Sequence, residues 1–393
     1  MKCRSCGSQS FGNVIDLGLM PLVNNLLQTQ EEPRPRWPLK VVFCRHCSLA
    51  QLPETPSPEA MFREYLYFSS QSQTMVEHAG RLVERFVKPG QNVVEIASND
   101  GYLLRQAQAR GARVLGVDPA RNIADFASQR GIPTRCEFFD ADVAHTIAAE
   151  WGHADVLFAN NVLAHVPDPN ELAAGIKRLL AEHGVAHIEV PYIRNMIDAG
   201  AFDTIYHEHH CYFSLAALKS LFERHNLRIA DVELIDIHGG SLHLQLKHDA
   251  DDSKAAALCE EERQIGLFDD GYYAAFLTRV EQLRQKLEQV MDRFPTIAAY
   301  GAAAKGIVLL NAFGLDADRI PWVADVSPHK QGRFVPGTLQ PIVPPSMLTS
   351  DKPAAALLLP WNITDEIIRR NRDYLDQGGT FIVPIPEVRL IGK

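Results

Sequence analysis

The chain of 393 residues is 46% apolar and 22% charged, the balance of a globular protein with two or three domains rather than a disordered or fibrous one. Its net charge of −9 argues against a nucleic-acid partner, because proteins that bind nucleic acid present a basic face. The sequence has neither a run of about 20 apolar residues nor a signal-like N-terminus, so we expect no membrane span and a cytoplasmic location.

Two Cys-x-x-Cys pairs define the N-terminal segment: Cys3 with Cys6, and Cys44 with Cys47. Four thiolates at this spacing can hold one tetrahedral Zn²⁺, and the proline-rich sequence between the pairs has little core of its own. We therefore predict a structural zinc site in a module of residues 1–55. A redox pair is the alternative, and a catalytic zinc is disfavoured because four thiolates leave no open position. Such pairs also indicate a reducing compartment.

Residues 56–90 have mainly helical periodicity, interrupted by an aromatic and serine-rich run at residues 64–72. The tyrosines of this run, Tyr65 and Tyr67, are either packing residues or parts of a site. The pattern alone does not decide between these interpretations.

A strand, loop, helix and strand follow between residues 91 and 119, as at the start of a nucleotide-binding α/β unit. The loop at residues 97–101 lacks Gly-x-Gly-x-x-Gly, so a dinucleotide pyrophosphate would find no glycine-lined turn. S-adenosylmethionine (SAM) fits better, since the loop can bind its amino-acid tail and Asp118 can accept both ribose hydroxyls. The candidate cofactor contacts are Glu95, Ala97, Asn99, Gly101, Asp118 and Asn160.

Apolar strands at residues 154–159 and 184–190 continue the alternation and predict a doubly wound sheet. The chain then reaches residues 206–213, where three histidines, a glutamate, a cysteine and three aromatics fall together. A strand would put Tyr206 and His209 on opposite faces, whereas a helix would bring them together. This density of bases and hydrogen-bond donors indicates an active site; a surface loop or a satisfied polar core is the alternative.

A helix at residues 214–224 and two strands about a Gly-Gly turn at residues 239–240 complete the central unit. The charged stretch at residues 249–263 is interpreted as a linker, before a long helical pattern at residues 271–293. We therefore predict a central domain at residues 56–250 and a C-terminal domain at residues 251–393.

A second α/β unit begins at residue 296. Small residues at positions 301–304 let the first strand-to-helix turn approach a ligand, and Lys305 at the helix start attracts phosphate. The next strand ends in Asp325, just as the second strand of the first unit ends in an acid. The chain thus has two similar nucleotide-binding halves.

Taken in order, these motifs resemble the sugar C-methyltransferases of deoxysugar pathways, and the resemblance covers nearly the whole chain. The motifs that carry it are the two Cys-x-x-Cys pairs, Glu95-Ile-Ala-Ser-Asn-Asp-Gly101, Asn161-Val-Leu-Ala-His165-Val-Pro-Asp-Pro169, Tyr206-His-Glu208-His209, His238-Gly-Gly-Ser-Leu242 and Tyr300-Gly-Ala-x-Ala-Lys305-Gly. The chain departs from the family pattern at His210-Cys211 and at Ile307-Val308. These departures concern the identity of the sugar more than the reaction.

The resemblance implies an α/β protein with an N-terminal zinc module, a Rossmann-like SAM methyltransferase domain and a C-terminal Rossmann-like domain. It implies that His209 is the general base. The other implied catalytic residues are Tyr206, Glu208, His165 and one of Tyr65 and Tyr67. The implied substrate-binding residues are His238, Ser241, Tyr300, Gly301 and Lys305.

The chemistry of C-methylation suits these side chains. A sugar forms a carbanion by losing a proton next to a ketone, and a histidine, with an unperturbed pKa of roughly 6.5, is a suitable base at cytoplasmic pH. Tyr206 and His165 can then donate hydrogen bonds to the enolate oxygen.

We therefore expect a SAM-dependent enzyme that methylates a nucleotide-linked 4-ketosugar at C-3, with inversion at the methyl group. It is expected to be a monomer or a weak homo-oligomer. Its zinc module is expected to be structural and to help position residues 65–72 over the sugar. C-5 or O-methylation by the same architecture stays open, as does an NAD-binding dehydrogenase or a ligand-binding protein.

Overall fold

The computed structural model describes residues 1–56, 68–237 and 239–392, and these residues form three sheets. A four-stranded sheet carries the cysteine pairs, a seven-stranded sheet forms the central unit and a six-stranded sheet forms the C-terminal unit. The predicted fold class is confirmed: an α/β protein with a small N-terminal module and two Rossmann-like units.

The N-terminal module is an antiparallel sheet completed by a distant part of the chain. Its first three strands are β1 (Phe11–Met20), β2 (Trp37–Cys44) and β3 (Ala50–Gln51). The fourth strand, Cys211–Tyr212, comes from the central unit and pairs antiparallel with β3. The module is therefore joined by backbone hydrogen bonds to the histidine-rich stretch at residues 206–213.

The central unit contains a doubly wound sheet. Its elements are α1 (Gln73–Phe86), β4 (Asn92–Ile96), α2 (Tyr102–Ala109), β5 (Arg113–Val117), α3 (Arg121–Gln129), β6 (Thr134–Arg135), α4 (Ala141–Glu150), β7 (Ala154–Asn160), α5 (Pro169–Leu179), β8 (Leu180–Pro191), α6 (Ile193–Asp198), β9 (Cys211–Tyr212), α7 (Leu215–Arg224), β10 (Arg228–Ile235) and β11 (Ser241–Lys247).

The strand order is β10-β11-β8-β7-β4-β5-β6, so the cofactor candidates lie together at the carboxyl ends of the neighbouring strands β7, β4 and β5. The strands β6, β5, β4, β7 and β8 are parallel, while β11 and β10 are antiparallel. The chain leaves β4 toward β5 and later reaches β7 on the other side, so a crevice opens at the carboxyl end of β4. The side chains of β4 are almost wholly buried, as in a sheet covered on both faces.

The C-terminal unit repeats this plan. Its elements are α8 (Ser253–Gln264), α9 (Asp270–Met291), β12 (Ile297–Tyr300), α10 (Ala304–Ala312), β13 (Val323–Ala324), β14 (Ile342–Val343), α11 (Met347–Ser350), β15 (Ala355–Leu358), α12 (Thr364–Arg370), α13 (Arg372–Asp376), β16 (Thr380–Val383) and β17 (Arg389–Ile391). The strand order is β14-β13-β12-β15-β16-β17, in which β17 is antiparallel. In the parts of the chain that the structure describes, no helix is both long and apolar enough to cross a bilayer.

The charged stretch interpreted as a linker differs from that expectation, because most of it is the helix α8. The side chain of Glu262 is fully buried and accepts hydrogen bonds from the backbone N–H groups of Leu215 at 2.6 Å and Ala216 at 2.9 Å. These groups begin α7 and have no partner within that helix. A carboxylate that looks like surface charge in the sequence is thus a helix cap in the fold.

Candidate active site

The four N-terminal cysteines form a compact thiol cluster. Their Sγ atoms all lie within 4.8 Å of one another, and the Cys3–Cys47 and Cys6–Cys44 pairs are 3.6 Å apart. Tetrahedral zinc with Zn–S bonds of about 2.3 Å requires sulfur atoms about 3.8 Å apart. The cluster therefore fits one zinc ion.

The two knuckles have the same backbone hydrogen bonds. Cys3 N–H donates to the Ser8 carbonyl and Cys44 N–H to the Leu49 carbonyl, both at 2.8 Å. Gly7 and Ser48 occupy equivalent positions after the second cysteine of each pair, with φ of +74° and +65°. Ser48 thus adopts a left-handed conformation that favours glycine, which indicates that the knuckle geometry overrides local preference.

The loop after β4 has an unusual backbone. Ala97, Asn99 and Gly101 all have positive φ, at 55°, 48° and 76°. Two of these residues are not glycine, and such conformations persist only where surrounding structure enforces them, often at ligand sites. Asp118 holds the loop through a hydrogen bond from Asn99 N–H to its Oδ2 at 3.0 Å, while Ala120 N–H donates to its Oδ1 at 2.9 Å.

The crevice at this loop is lined by buried acids. Glu95 is 2% exposed and Asp100 3% exposed, and Oε2 of Glu95 and both carboxylate oxygens of Asp100 have no hydrogen-bond partner among the described residues. Burial, followed by the charges of Asp118 and Asp100, raises the pKa of Glu95 well above its ordinary value. Burial also raises the pKa of Asp118. Buried acceptors without partners suit a cationic ligand, and SAM carries a sulfonium and an ammonium.

The sequence interpretation missed three polar residues beside this crevice. Glu189, at the end of β8, forms a hydrogen bond through its Oε1 with His78 Nε2 at 2.7 Å. Its Oε2 has no partner among the described residues. Asn161 has φ of +55°, and its N–H donates to the Glu189 carbonyl at 2.8 Å. The available signal was position, because Glu189 and Asn161 both follow the apolar cores of parallel strands. Asn160, which was predicted, lies opposite Glu189 in the sheet.

The histidine-rich stretch is a turn followed by the short strand β9. His209 N–H donates to the Tyr206 carbonyl at 2.9 Å, which closes the turn. The Nδ1 of His209 lies 2.9 Å from the Thr204 carbonyl. Because a carbonyl can only accept, Nδ1 carries the proton, and in the neutral ring Nε2 is the basic nitrogen.

Three aromatic rings surround His209. The Tyr206 ring packs against it with centroids 3.9 Å apart, His165 meets it edge-on at 4.7 Å, and Tyr212 lies at 6.1 Å. Burial lowers the pKa of His165 to about 4, while a hydrogen bond with the Glu208 backbone acts in the opposite direction. His165 is therefore neutral at pH 7.

Helix α5 fixes the loop that carries His165. Asp168 caps this helix by accepting a hydrogen bond from Asn170 N–H at 2.9 Å, and Pro169 occupies the first turn. His165 itself ends a 3₁₀ turn that begins at Leu163. The cap and the 3₁₀ turn together define the path of the chain from His165 to Asn170.

The side chain of Glu208 contacts the N-terminal module. It is 3% exposed, and its Oε1 accepts a hydrogen bond from Asn24 Nδ2 of the N-terminal module at 2.9 Å. Burial raises its pKa. His207 is wholly buried beside Trp37, with ring centroids 6.3 Å apart. The consecutive residues His207 and Glu208 therefore both contact the N-terminal module.

Three predicted site residues, Tyr65, Tyr67 and His238, lie outside the described residues. The serines that follow the two tyrosines are described, and they meet the cofactor loop. Ser69 N–H donates to Asn99 Oδ1 at 2.9 Å. The serine-rich run therefore contacts the candidate SAM site.

The C-terminal unit repeats the loop anchor of the central unit. Ala302 N–H donates to Asp325 Oδ2 at 2.7 Å, and Ser327 N–H to its Oδ1 at 2.8 Å. Here a cation accompanies the acid, because Lys330 Nζ lies 3.6 Å from Asp325 and donates to the Ala302 carbonyl at 2.8 Å. Gly301 has φ of +91°, and a Cβ there would come within 2.2 Å of Pro360.

Lys305 lies at the junction of the two units. Its Nζ sits 4.7 Å from the centroid of the Trp361 ring, and Trp361 Nε1 donates to Asp203 Oδ2 at 2.8 Å. Burial lowers the pKa of Lys305, and Asp203 opposes that shift. Burial raises the pKa of Asp203 to about 6. Asp203 directly precedes Thr204, whose carbonyl orients the proposed base.

The remaining predicted substrate residues have different positions. Ser241 is buried at the start of β11 and donates to the Ile237 carbonyl at 3.0 Å, so it closes the hairpin turn. The same turn reaches the junction, since a Cβ on Gly239 would lie 3.1 Å from the Trp361 ring. The ring of Tyr300 packs in the core of the C-terminal unit, with its centroid 6.2 Å from that of Phe381.

Comparison with known proteins bears on all three units. Residues 3–62 match a zinc binding domain, residues 69–232 a methyltransferase domain and residues 236–386 the C-methyltransferase C-terminal domain. The chain is 38% identical over 405 residues to the C-methyltransferase NovU of Streptomyces niveus, covering 99% of this chain and 96% of that one.

Two further similarities cover less than half of the chain. A ubiquinone biosynthesis O-methyltransferase of Burkholderia thailandensis is 27% identical over 172 residues, covering 39% of this chain and 70% of its own. A solved SAM-dependent methyltransferase from Anabaena variabilis is 16% identical with a TM-score of 0.37, covering 46% of this chain and 86% of its own.

The match to NovU extends over nearly the full length of both chains, and the predicted enzyme class and the predicted cofactors, SAM and zinc, are confirmed. The chain belongs to the family of SAM-dependent C-methyltransferases that combine a zinc-binding module, a methyltransferase domain and a C-terminal domain.

Proposed function

We propose that this C-methyltransferase acts on a nucleotide-linked 4-ketosugar and methylates it at C-3, next to the ketone. The observation that carries the proposal is the orientation of His209 by the Thr204 carbonyl at 2.9 Å, within a cluster of aromatic side chains. C-methylation requires a carbon nucleophile, and a ketone makes the adjacent C–H acidic enough for a histidine to remove the proton. The sugar, the nucleotide and the position are parts of the proposal.

His209 is the proposed base, and its Nε2 is the basic atom. The hydrogen bond from Nδ1 to Thr204 fixes both the tautomer and the ring plane, which is the usual way an imidazole base is oriented. Nε2 takes the proton from the carbon, and the electron pair of the C–H bond moves toward the ketone oxygen. The enolate carbon is then the nucleophile.

Tyr206 is the proposed donor to the enolate oxygen. Its ring lies against His209, so a ketone beside the base can come within reach of the phenol. His165 is less suited to the same role. It is neutral at pH 7, and its single N–H is engaged by the Glu208 backbone. We therefore assign His165 to packing against and orienting His209.

The cofactor residues are proposed to bind SAM through its charges and its ribose. When bound, SAM supplies an electrophilic methyl group on sulfonium. The unpartnered carboxyl oxygens of Glu95 and Asp100 are buried acceptors for its cationic groups, and the loop of Ala97, Asn99 and Gly101 offers backbone groups to the methionine tail. Asp118 lies at the end of β5, where it can accept the ribose hydroxyls.

The C-terminal unit is proposed to hold the nucleotide of the sugar. Lys305 at the start of α10 provides a cation next to helix N–H groups, which suits a phosphate. Lys305 contacts Trp361 and lies near Asp203. Asp203 directly precedes Thr204, whose backbone carbonyl accepts the hydrogen bond from His209. A sugar attached to a phosphate at Lys305 would thus extend toward the base.

Hydrogen exchange tests the proposal without methyl transfer. In D₂O, with S-adenosylhomocysteine present, the wild-type protein is expected to exchange the C-3 hydrogen of a 4-keto-6-deoxyhexose linked to thymidine, uridine or guanosine diphosphate. His209→Asn should abolish this exchange. Exchange at C-5 instead of C-3 would move the methylation site, and exchange at an unchanged rate in the variant would remove His209 as the base.

O-methylation is separated by the product. With SAM and the same panel, C-methylation adds one methyl group whose carbon is bonded to carbon, which NMR distinguishes from a methoxy group. A methoxy product would overturn the proposed substrate chemistry.

A further inference from the structure

Each zinc knuckle carries an arginine at the same position, Arg4 after Cys3 and Arg45 after Cys44. The two side chains lead to different parts of the protein. Arg45 Nη2 pairs with Asp270 at 2.7 Å, and its Nε donates to the Phe11 carbonyl at 3.2 Å. This side chain is 41% exposed, so Arg45 joins the second knuckle to the surface of α9.

Arg4 instead joins the first knuckle to the active-site turns. Its Nη1 donates to the Pro167 carbonyl at 2.8 Å, and its Nη2 donates to the Leu52 carbonyl at 3.4 Å. Pro167 follows His165 by two residues. Leu52 N–H donates in turn to the His210 carbonyl at 3.0 Å, and His210 directly follows His209. One guanidinium therefore connects the segments that carry both histidines.

The backbone of Arg4 is held as firmly as its side chain. Its N–H donates to Gln51 Oε1 at 2.8 Å, and its carbonyl accepts a hydrogen bond from Asn170 Nδ2 at 2.8 Å. The next residue, Ser5, accepts a bond from Arg224 at 3.0 Å through its carbonyl. A change in the first knuckle is thus transmitted to α5 and α7, the helices next to the two catalytic segments.

We propose that Arg4 is a positioning residue for methyl transfer, through which the zinc knuckle sets the distance between the His165 loop and the His209 turn. This inference rests on the proposed role of His209 as the base. A displacement of about 1 Å can cost an enzyme roughly 10²-fold in rate, so a link of this kind affects turnover without contacting substrate. The zinc module then contributes to geometry as well as to stability.

The test compares Arg4→Ala and Arg4→Lys with Arg45→Ala, the matched change in the other knuckle. All three proteins should retain one zinc per chain by elemental analysis and bind SAM with a dissociation constant within about twofold of wild type. Arg4→Ala should lower kcat by roughly 10- to 100-fold with little change in KM, and millimolar guanidinium ion should restore part of that loss. Arg45→Ala should keep kcat within about twofold.

A readout without turnover is the NMR spectrum of protein labelled with ¹⁵N-histidine. Arg4→Ala should shift the ring signals of His165 and His209, which selective substitution identifies, whereas Arg45→Ala should leave them in place. If Arg4→Ala loses zinc, the Arg4→Lys variant provides the test in its place. Lysine keeps the positive charge, but its single nitrogen cannot reach the carbonyls of both Pro167 and Leu52. It should then show the intermediate kcat.

The inference is overturned if zinc-loaded Arg4 variants keep kcat within about twofold while His209→Asn loses activity, or if Arg45→Ala loses as much kcat as Arg4→Ala. If His209→Asn itself retains full activity, the proposed base is wrong. The two failures are thereby distinguishable.

Discussion

The central and C-terminal units anchor their first strand-to-helix loop in the same way but surround it with different side chains, acids in the central unit and lysines in the C-terminal unit. In each unit an aspartate after the second strand accepts two backbone hydrogen bonds, one from an N–H of the loop and one from the N–H two residues after the aspartate itself. The donors are Asn99 and Ala120 for Asp118, and Ala302 and Ser327 for Asp325. The same backbone anchor therefore occurs in both units.

The difference lies in the neighbouring side chains. Near Asp118 the buried groups are the carboxyls of Glu95 and Asp100, whereas Asp325 is accompanied by Lys330, and Lys305 begins the helix. These side chains would favour a cationic cofactor at the first loop and an anionic nucleotide at the second, because a ligand charge that loses its hydration needs an opposite partner in the site. Two similar folds can thus serve one reaction by taking its two reactants separately.

The largest expected effect falls between the units, at His209. His209→Asn should lower kcat by roughly 10²- to 10⁴-fold, because a positioned base contributes that factor. The affinities for SAM and for the nucleotide sugar should not change. Single-turnover kinetics with separate calorimetric titrations of SAM and nucleotide sugar checks this. A variant that loses affinity for either ligand would place His209 within one of the binding sites instead.

The next effect concerns the cofactor side of the comparison. Asp118→Ala should weaken SAM binding by roughly 1.5 to 3 kcal/mol, because a carboxylate that accepts two hydroxyls makes charge-assisted hydrogen bonds. Asp325→Ala is the matched control in the other unit and should leave SAM affinity unchanged. Equal losses of SAM affinity in the two variants would contradict the division of ligands.

At the junction, Asp203 provides a pH-dependent test. Burial raises its pKa to about 6, above the roughly 3.9 of an unfolded chain, so the folded protein holds the proton more tightly. The resulting stabilisation is complete below about pH 4 and is lost as the pH rises through about 6. Asp203→Asn should therefore raise the free energy of unfolding at pH 7 by about 3 kcal/mol and flatten the dependence of stability on pH.

Thermal unfolding of wild type and Asp203→Asn between pH 4 and 8 measures this change. Asparagine keeps an oxygen for the Trp361 indole, so that hydrogen bond is the internal control. A lower melting temperature for the variant at pH 7 would mean that Asp203 and Lys305 act as a net stabilising ion pair.

The smallest effect is expected at Lys305. Lys305→Met keeps most of the side-chain volume over Trp361 but removes the charge, and should weaken binding of uridine or thymidine diphosphate by about 1 to 2 kcal/mol. SAM affinity should not change. Equal nucleotide affinity in Lys305→Met and wild type, measured by calorimetry, would show that the phosphate lies elsewhere.

Much of the fold follows from the sequence because local pattern and burial agree. The apolar runs at β4, β5 and β7 are strands, and the predicted helices at residues 214–224 and 271–293 correspond to α7 and α9. Buried parallel strands and amphipathic helices show in short windows of sequence, and the acid after each second strand is visible at a fixed position.

The site was less predictable where its geometry depends on distant residues. The periodicity of polar and apolar residues could not specify the conformation of residues 206–209, because a turn has neither the spacing of a strand nor that of a helix. The direction of Glu208 is set by Asn24, 184 residues earlier in the chain. Strand alternation did not reveal that the Tyr300 ring faces the core, since both faces of that strand are buried.

The pairing of β3 with β9 has a consequence for synthesis. The N-terminal sheet lacks its fourth strand until residues 211–212 emerge, about 160 residues after Gln51. At roughly 5 to 20 residues per second this interval lasts on the order of 8 to 32 s. During that time the four thiols are already outside the ribosome next to an open strand edge. Early zinc loading would protect them from oxidation and would shape the edge that β9 later joins.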